Sequence, residues 1–267
     1  VAFAWVDAFA DGPFTGNPAA VCLLEAPWDG PAGETRMAAL AAEFGISETA
    51  YVAPGPGGVW SLRWFSPTTE IDLCGHATLA SAHVLRDEGR AASGDTVSFA
   101  TRSGLLRARL EDAAVELDLP ADPPAPVEPP PSLAGLPGAR GFARAEGSLL
   151  VELDSAQAVA GFRPDLEALS RAHPKAVLVT APGPGAEADY VLRLFGPNLG
   201  IPEDPVTGSA ACVAGPYWAA RLGSNRLSSR QLSARGGRLE VSVAGDRVGV
   251  GGRAVTVAAG RLALAGP

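Results

Sequence analysis

The sequence predicts a mixed α/β protein made of two domains built to one pattern. Three observations carry this reading. The first is an internal echo: "LRWFSP" (Leu62 to Pro67) returns as "LRLFGP" (Leu192 to Pro197), an offset of 130 residues. After a three-residue insertion the register resumes, so that Gly75 matches Gly208 and Ala77 matches Ala210. The second is "LPADPPAPVEPPPSLAGLPG" (Leu119 to Gly138), too rich in proline to continue a helix or a central strand, which reads as a connector between the copies. The third is that short strand-like runs outnumber helical ones, which argues against a doubly wound sheet.

Taken in order, "TRMAALAAEF" places Met37, Leu40, Ala41 and Phe44 at helical spacing, and Gly45 suits the C-terminal cap. "ISETAYV" reads as a strand with Ile46, Glu48, Ala50 and Val52 on one face and Ser47, Thr49 and Tyr51 on the other. "AVELDLP", "LLVELD" and "AVLVT" alternate like strands, and "RLEVSVAGDRVGV" is a hairpin turning at Ala-Gly-Asp. "LEALSRAH" is a helix that Pro174 stops. Two further stretches, "HATLASAHVL" and "SAACVAGPYWAARL", are small or apolar around most of their circumference, the mark of a helix buried on all sides.

With 267 residues, 47% hydrophobic and 19% charged, the chain has room for a substantial core and is not of disordered composition. A formal charge of -8 with scattered arginines argues against a nucleic-acid partner. No apolar run approaches the roughly 18 residues of a membrane helix, and no charged leader precedes an apolar core, so no membrane partner is expected and the cytoplasm is the expected location. The three cysteines, Cys22, Cys74 and Cys212, form no C-x-x-C pair and read as reduced thiols. With only His76, His83 and His173 available, no metal site is expected, although His76 and His83 would share a helical face. No glycine-rich nucleotide fingerprint is present, so the expected chemistry uses no cofactor.

The candidate site lies at the starts of the two small-residue helices. Cys74-Gly75-His76 opens one and Thr207-Gly208-Ser209 the other, the latter led by Glu203-Asp204. A helix start presents unsatisfied N–H groups and a partial positive charge, a ready anion site. If the domains face each other, both starts reach one cleft. An ordinary helix cap is the plainer reading of Ser209, and His76 stands between cap and catalytic or binding group. Glu48 supplies an acid on an apolar strand face, where burial would change how readily it exchanges a proton. "PKAVLVT", the corresponding stretch of the second half, has no acid, so the repeated scaffold does not dictate Glu48. A strand-start residue still in solvent is the alternative.

Together "VDAFADGPFTGNPAAVCLL", "GISETAYV", "LRWFSPTTEIDLCGHATLASAHVL" and "GIPEDPVTGSAACVAGPYWAARLG" resemble, in order and spacing, the PhzF-like family, named for the phenazine-biosynthesis isomerase. The resemblance implies two similar α/β domains, each a curved sheet wrapped around a central helix, as in diaminopimelate epimerase. It implies an N-terminal domain of residues 1–118 joined by about 254–267, a C-terminal domain of 119–253, and a homodimer. Glu48 then looks like the proton-transferring acid, His76 and Asp204 its catalytic partners, and Ser209 a substrate contact. Gly75 and Gly208 would offer N–H groups to a substrate carboxylate. Many relatives carry a histidine where this chain has Ala211. Cys74 falls where the related epimerases place one of two thiols, the other falling near Pro205.

The expected activity is isomerisation, by acid–base proton transfer, of a small carboxylate-bearing metabolite. A racemase or epimerase pairing Cys74 with Glu48 or Asp204 is the second reading, and a non-enzymatic ligand-binding or interaction protein the third.

Overall fold

A computed structural model describes residues 1–264, which divide into two units: Val1–Asp118 with the chain from Gly251 onward, and Leu119–Val250. The first unit runs β1 (Ala2–Ala8), β2 (Asn17–Leu23), α1 (Gly30–Phe44), β3 (Glu48–Pro54), β4 (Trp60–Phe65), β5 (Glu70–Ile71), α2 (Gly75–Asp87), β6 (Thr96–Thr101), β7 (Gly104–Leu110) and β8 (Val115–Pro120). Its pairings are β1–β2 antiparallel, β2–β3 parallel, β3–β4 antiparallel, β4–β6 parallel and β6–β7 antiparallel, with β5 added to the end of β4. β8 continues the sheet beside β7.

The second unit holds β9 (Ala125–Pro126), β10 (Ala139–Arg144), β11 (Ser148–Leu153), α3 (Ala156–Ala160), α4 (Leu166–Ala172), β12 (Ala176–Pro182), β13 (Tyr190–Gly196), β14 (Ile201–Asp204), α5 (Ala210–Leu222), β15 (Arg226–Gln231), β16 (Gly237–Ala244) and β17 (Arg247–Gly252). From β10 to β16 the pairings are antiparallel, parallel, antiparallel, parallel and antiparallel, with β14 added to β13. That is the order found in the first unit from β1 to β7. The self-repeat in the sequence is therefore a repeat of topology. The final strand, β18 (Ala254–Arg261), pairs antiparallel with β1 of the first unit.

In each unit a curved sheet wraps one helix. Every residue of α2 from His76 to Leu85 is buried, and the helix packs on β1, β2, β3, β7 and β18. Leu79 and Leu85, fully buried, each contribute on the order of 1.5–3 kcal/mol of transfer free energy. α5 packs on β11, β15 and β16, and Gly215 permits that approach: a Cβ there would meet Val241 Cγ1 at 2.9 Å. Pro216, inside α5, has no N–H for the carbonyl of Cys212 four residues back. The N–H of Asp122 supplies the missing donor at 2.9 Å.

The other face of the first sheet is covered by α1, whose Met37, Leu40 and Ala41 pack with Tyr51 and Phe65. Gly45 ends this helix in the left-handed conformation, φ 62°, as its sequence position predicts. Tyr51 Oη donates to the Met37 carbonyl at 2.6 Å. Consequently β3 is buried on both faces from Glu48 through Ala53, and the strand begins at Glu48, after Ile46 and Ser47. The alternation in "ISETAYV" thus separates two covered faces; neither is a solvent face. The proline-rich connector differs from expectation too. It carries β9 and a short turn at Pro131–Leu133, and Leu133 is buried in the second unit's core with Leu149, Val151 and Phe195. Among the described residues no helix is long and apolar enough to cross a membrane.

Candidate active site

The first unit brings three chemically active side chains together at the start of α2. Glu48 is the first residue of β3, set beside Ala19 of β2. Cys74 is the extended residue (φ -139°, ψ 106°) that turns the chain into α2, and His76 is the second residue of the helix. His76 Nε2 lies 3.1 Å from Glu48 Oε2, and its Nδ1 lies 3.5 Å from Cys74 Sγ. Glu48 is 8% exposed and Cys74 and His76 are each 6% exposed. The Glu48–His76 contact has the separation of an ion pair but not the alignment of a hydrogen bond: neither Oε2 nor Nε2 has an aligned partner.

The electrostatics follow from that enclosure. Burial alone pushes His76 down, but its interactions with Cys74 and Glu48 outweigh it and hold His76 well above the ordinary imidazole value. Burial pushes the Cys74 thiol up, with His76 opposing the shift. A neutral thiol and an imidazolium are the species these surroundings favour for Cys74 and His76. The imidazolium sits one residue inside a helix start, where the dipole opposes a cation; the carboxylate at 3.1 Å is what holds it there.

His83 does not join this group. Its Nε2 meets Thr256 Oγ1 at 3.0 Å and Asp87 Oδ2 at 3.1 Å, and its Nδ1 accepts from Arg86 at 2.9 Å. The helical face shared by His76 and His83 therefore does not bring them to one site: two turns of α2 separate them. His173 accepts from the Lys175 N–H in the second unit.

In the second unit Asp204 ends β14, and its carboxylate accepts a short hydrogen bond from Thr207 Oγ1. Gln231 holds the turn from beneath, donating to the Asp204 carbonyl at 2.7 Å and accepting from the Thr207 N–H at 2.9 Å. Gln231 was not marked by the sequence as part of the site. A buried glutamine (1% exposed) is a signal only once burial is known. Ser209 occupies the cap position of α5 but has helical backbone angles (φ -67°, ψ -21°), and its side chain makes no cap hydrogen bond. It is exposed, with Gly208 buried before it. Capping, the plainer sequence reading, is thus not what Ser209 does. The N–H groups of Gly75 and Gly208 both precede the first hydrogen-bonded N–H groups of their helix starts, Thr78 to Cys74 and Ala210 to Thr207.

The repeat sets a register between the halves. Arg63 forks onto Glu70 at 2.7 and 2.8 Å, and Arg193 forks onto Glu203 at the same two distances. Counting on from these glutamates, Thr207 corresponds to Cys74 and Ser209 to His76. The place near Pro205 expected for a second thiol is therefore corrected to Thr207, a hydroxyl. Counting through the strands, Thr49 faces Phe65 as Val177 faces Phe195, so Ala176 corresponds to Glu48. The repeated scaffold carries its strand-start acid in the first unit alone.

Paired sheet-wrapped helices with an acid, a thiol and an imidazole at one helix start define a protein of the epimerase-like fold class. The chain belongs to the PhzC/PhzF family: the family model described as phenazine biosynthesis-like protein matches residues 6–131 and 139–260. It is 47% identical over 263 residues to an uncharacterised isomerase of Pseudomonas aeruginosa, covering 97% of both chains. Among solved structures, a PhzF-family phenazine biosynthesis protein of Enterococcus faecalis is 39% identical, with a TM-score of 0.90, 98% of this chain and 99% of that one covered. A protein of Agrobacterium radiobacter described as a probable proline racemase, 16% identical with a TM-score of 0.66 over 99% of this chain and 94% of that one, shares the fold.

Proposed function

We propose that this protein is an isomerase that moves a proton within a small carboxylate-bearing metabolite, with Glu48 taking the proton from an activated carbon and returning it at another position. The observation that carries the reading is the buried Glu48 opposite His76, at the one strand start of the repeat that bears an acid. A general acid–base group of this kind contributes about 10²–10⁴-fold, and the remaining acceleration is electrostatic and positional. His76, as imidazolium, sets the orientation of Glu48 and adds positive charge beside the developing carbanion. The N–H of Gly75 at the start of α2 suits a substrate carboxylate. In the second unit the N–H of Gly208, Asp204 steadied by Thr207, and the exposed hydroxyl of Ser209 are the candidate substrate contacts at the start of α5. The protein works as a homodimer in this reading. Its relatives' names, isomerase and phenazine biosynthesis-like, support the reaction class.

The test is a screen of small unsaturated and α-substituted carboxylates in D₂O, followed by NMR. Wild type should place solvent deuterium in the product, and Glu48→Gln, folded to the same extent, should lose at least a thousandfold of turnover. A Glu48→Gln variant of near-normal activity would sink the proposal.

A second reading, racemisation with Cys74 as a base, rests on the 3.5 Å approach of Cys74 Sγ to His76 Nδ1. It is the weaker reading, because burial keeps the Cys74 proton on and the matching position carries Thr207, which is no comparable base.

A further inference from the structure

We propose that Glu48, Cys74 and His76 also form a binding site for a thiophilic divalent cation of the zinc class. The proposal does not depend on the isomerase reading. One ligand atom from each residue lies within 4.8 Å of the other two, and all three residues are buried. A tetrahedral zinc bound to a thiolate at about 2.3 Å and to an imidazole at about 2.0 Å holds sulfur and nitrogen about 3.5 Å apart. The Cys74 Sγ to His76 Nδ1 separation is 3.5 Å, so two ligands already stand at bonding distance from a common point. The carboxylate has to move by only about an ångström to complete a three-ligand set, since ligand atoms of a tetrahedral zinc sit about 3.3–3.8 Å apart.

Three further points favour a cation. Glu48 Oε2 is buried without an aligned hydrogen-bond partner, a costly state that a ligand bond would relieve. A thiolate and a carboxylate carry two negative charges, so a divalent ion makes the enclosed cluster neutral, the form burial favours. The sulfur ligand selects zinc-like ions over magnesium or calcium, which take oxygen. Three protein ligands leave the fourth position for water or for a carboxylate. An ion seated there occupies the Glu48 carboxylate and so competes with proton transfer at the same residue.

Cobalt(II) is the probe, because thiolate ligation gives it an intense near-ultraviolet charge-transfer band. Chelator-treated, reduced full-length protein should develop this band on titration, saturating near one cobalt per chain, and zinc should bleach it. Cys74→Ser should abolish it, while Cys22→Ser with Cys212→Ser leaves it in place. Glu48→Gln, isosteric and independent of whether the serine variant folds, should weaken cobalt binding by about tenfold or more. No band in wild type, a band surviving Cys74→Ser, or unchanged affinity in Glu48→Gln would each overturn the proposal. Because the readout is absorbance, loss of the isomerase reading leaves this test untouched.

Discussion

Arg193 grips Glu203 with two hydrogen bonds, at 2.7 and 2.8 Å, immediately before the Asp204 turn. The same guanidinium lies over the Phe195 ring and donates to the carbonyls of Val159 and Phe162. One side chain thus ties β13, β14 and the end of α3 together. The first unit repeats the fork with Arg63 and Glu70, but there Glu70 also receives Arg102.

The two forks should therefore respond differently to truncation. Arg193→Ala leaves Glu203 and several carbonyls without a donor and should cost about 2–3 kcal/mol. Arg63→Ala leaves Glu70 with Arg102 and should cost about 1 kcal/mol. Urea unfolding of both variants measures the difference; equal costs would mean that the extra partner of Glu70 is immaterial.

Cys74 is expected to be sluggish as a thiol. Burial raises its proton affinity and only 6% of its surface is open. Alkylation of the native protein by iodoacetamide should be at least a hundredfold slower at Cys74 than in the unfolded chain, read by peptide mass spectrometry. On the isomerase reading Cys74→Ala keeps turnover within about tenfold; a thousandfold loss in a folded variant would transfer the role of second base to this residue.

His83 gives stability a pH dependence of definite sign. Burial lowers its pKa, Asp87 opposes the shift, and Arg86 adds to it. Above about pH 6.5 the residue is neutral in both folded and unfolded chains and contributes no slope. As pH falls below that value the unfolded chain takes a proton that the folded one refuses, so stability declines until the folded pKa is reached. His76, with its raised pKa, acts in the opposite direction, its stabilisation being full below about pH 6.5 and lost as pH rises through the folded value. Denaturant midpoints at about pH 7.5 and pH 5.5 should fall less steeply for His83→Gln than for wild type. Parallel slopes would mean that His83 does not titrate differently on folding.

Much of the fold was legible because it is written twice. A six-residue echo and two small-residue helices reveal the repeat, and Gly45 and the Ala-Gly-Asp turn mark where elements end. Burial on the second face of β3 was not legible, because it depends on α1 arriving over Tyr51. The acid Glu48 stood out against its apolar neighbours, and the turn glycines marked the helix starts. Its contact with His76 and Cys74 joins residues 26 and 28 positions apart, which local periodicity does not report. Gln231 was invisible for a similar reason: a glutamine in a strand is unremarkable until the turn it supports is seen.

The hydrogen bond from Asp122 to the Cys212 carbonyl decides where the chain can be cut. Any dissection that discards the proline-rich stretch as spare tether removes the donor that makes good the defect left by Pro216, and takes Leu133 out of the core with it. A fragment begun at Ala139 would inherit a helix with a bare carbonyl in its middle and a hole beside Leu149. One begun at Leu119 keeps both repairs. The prolines of this stretch work as masonry for the second half, and their rigidity lets so short a segment reach the helix at a fixed point.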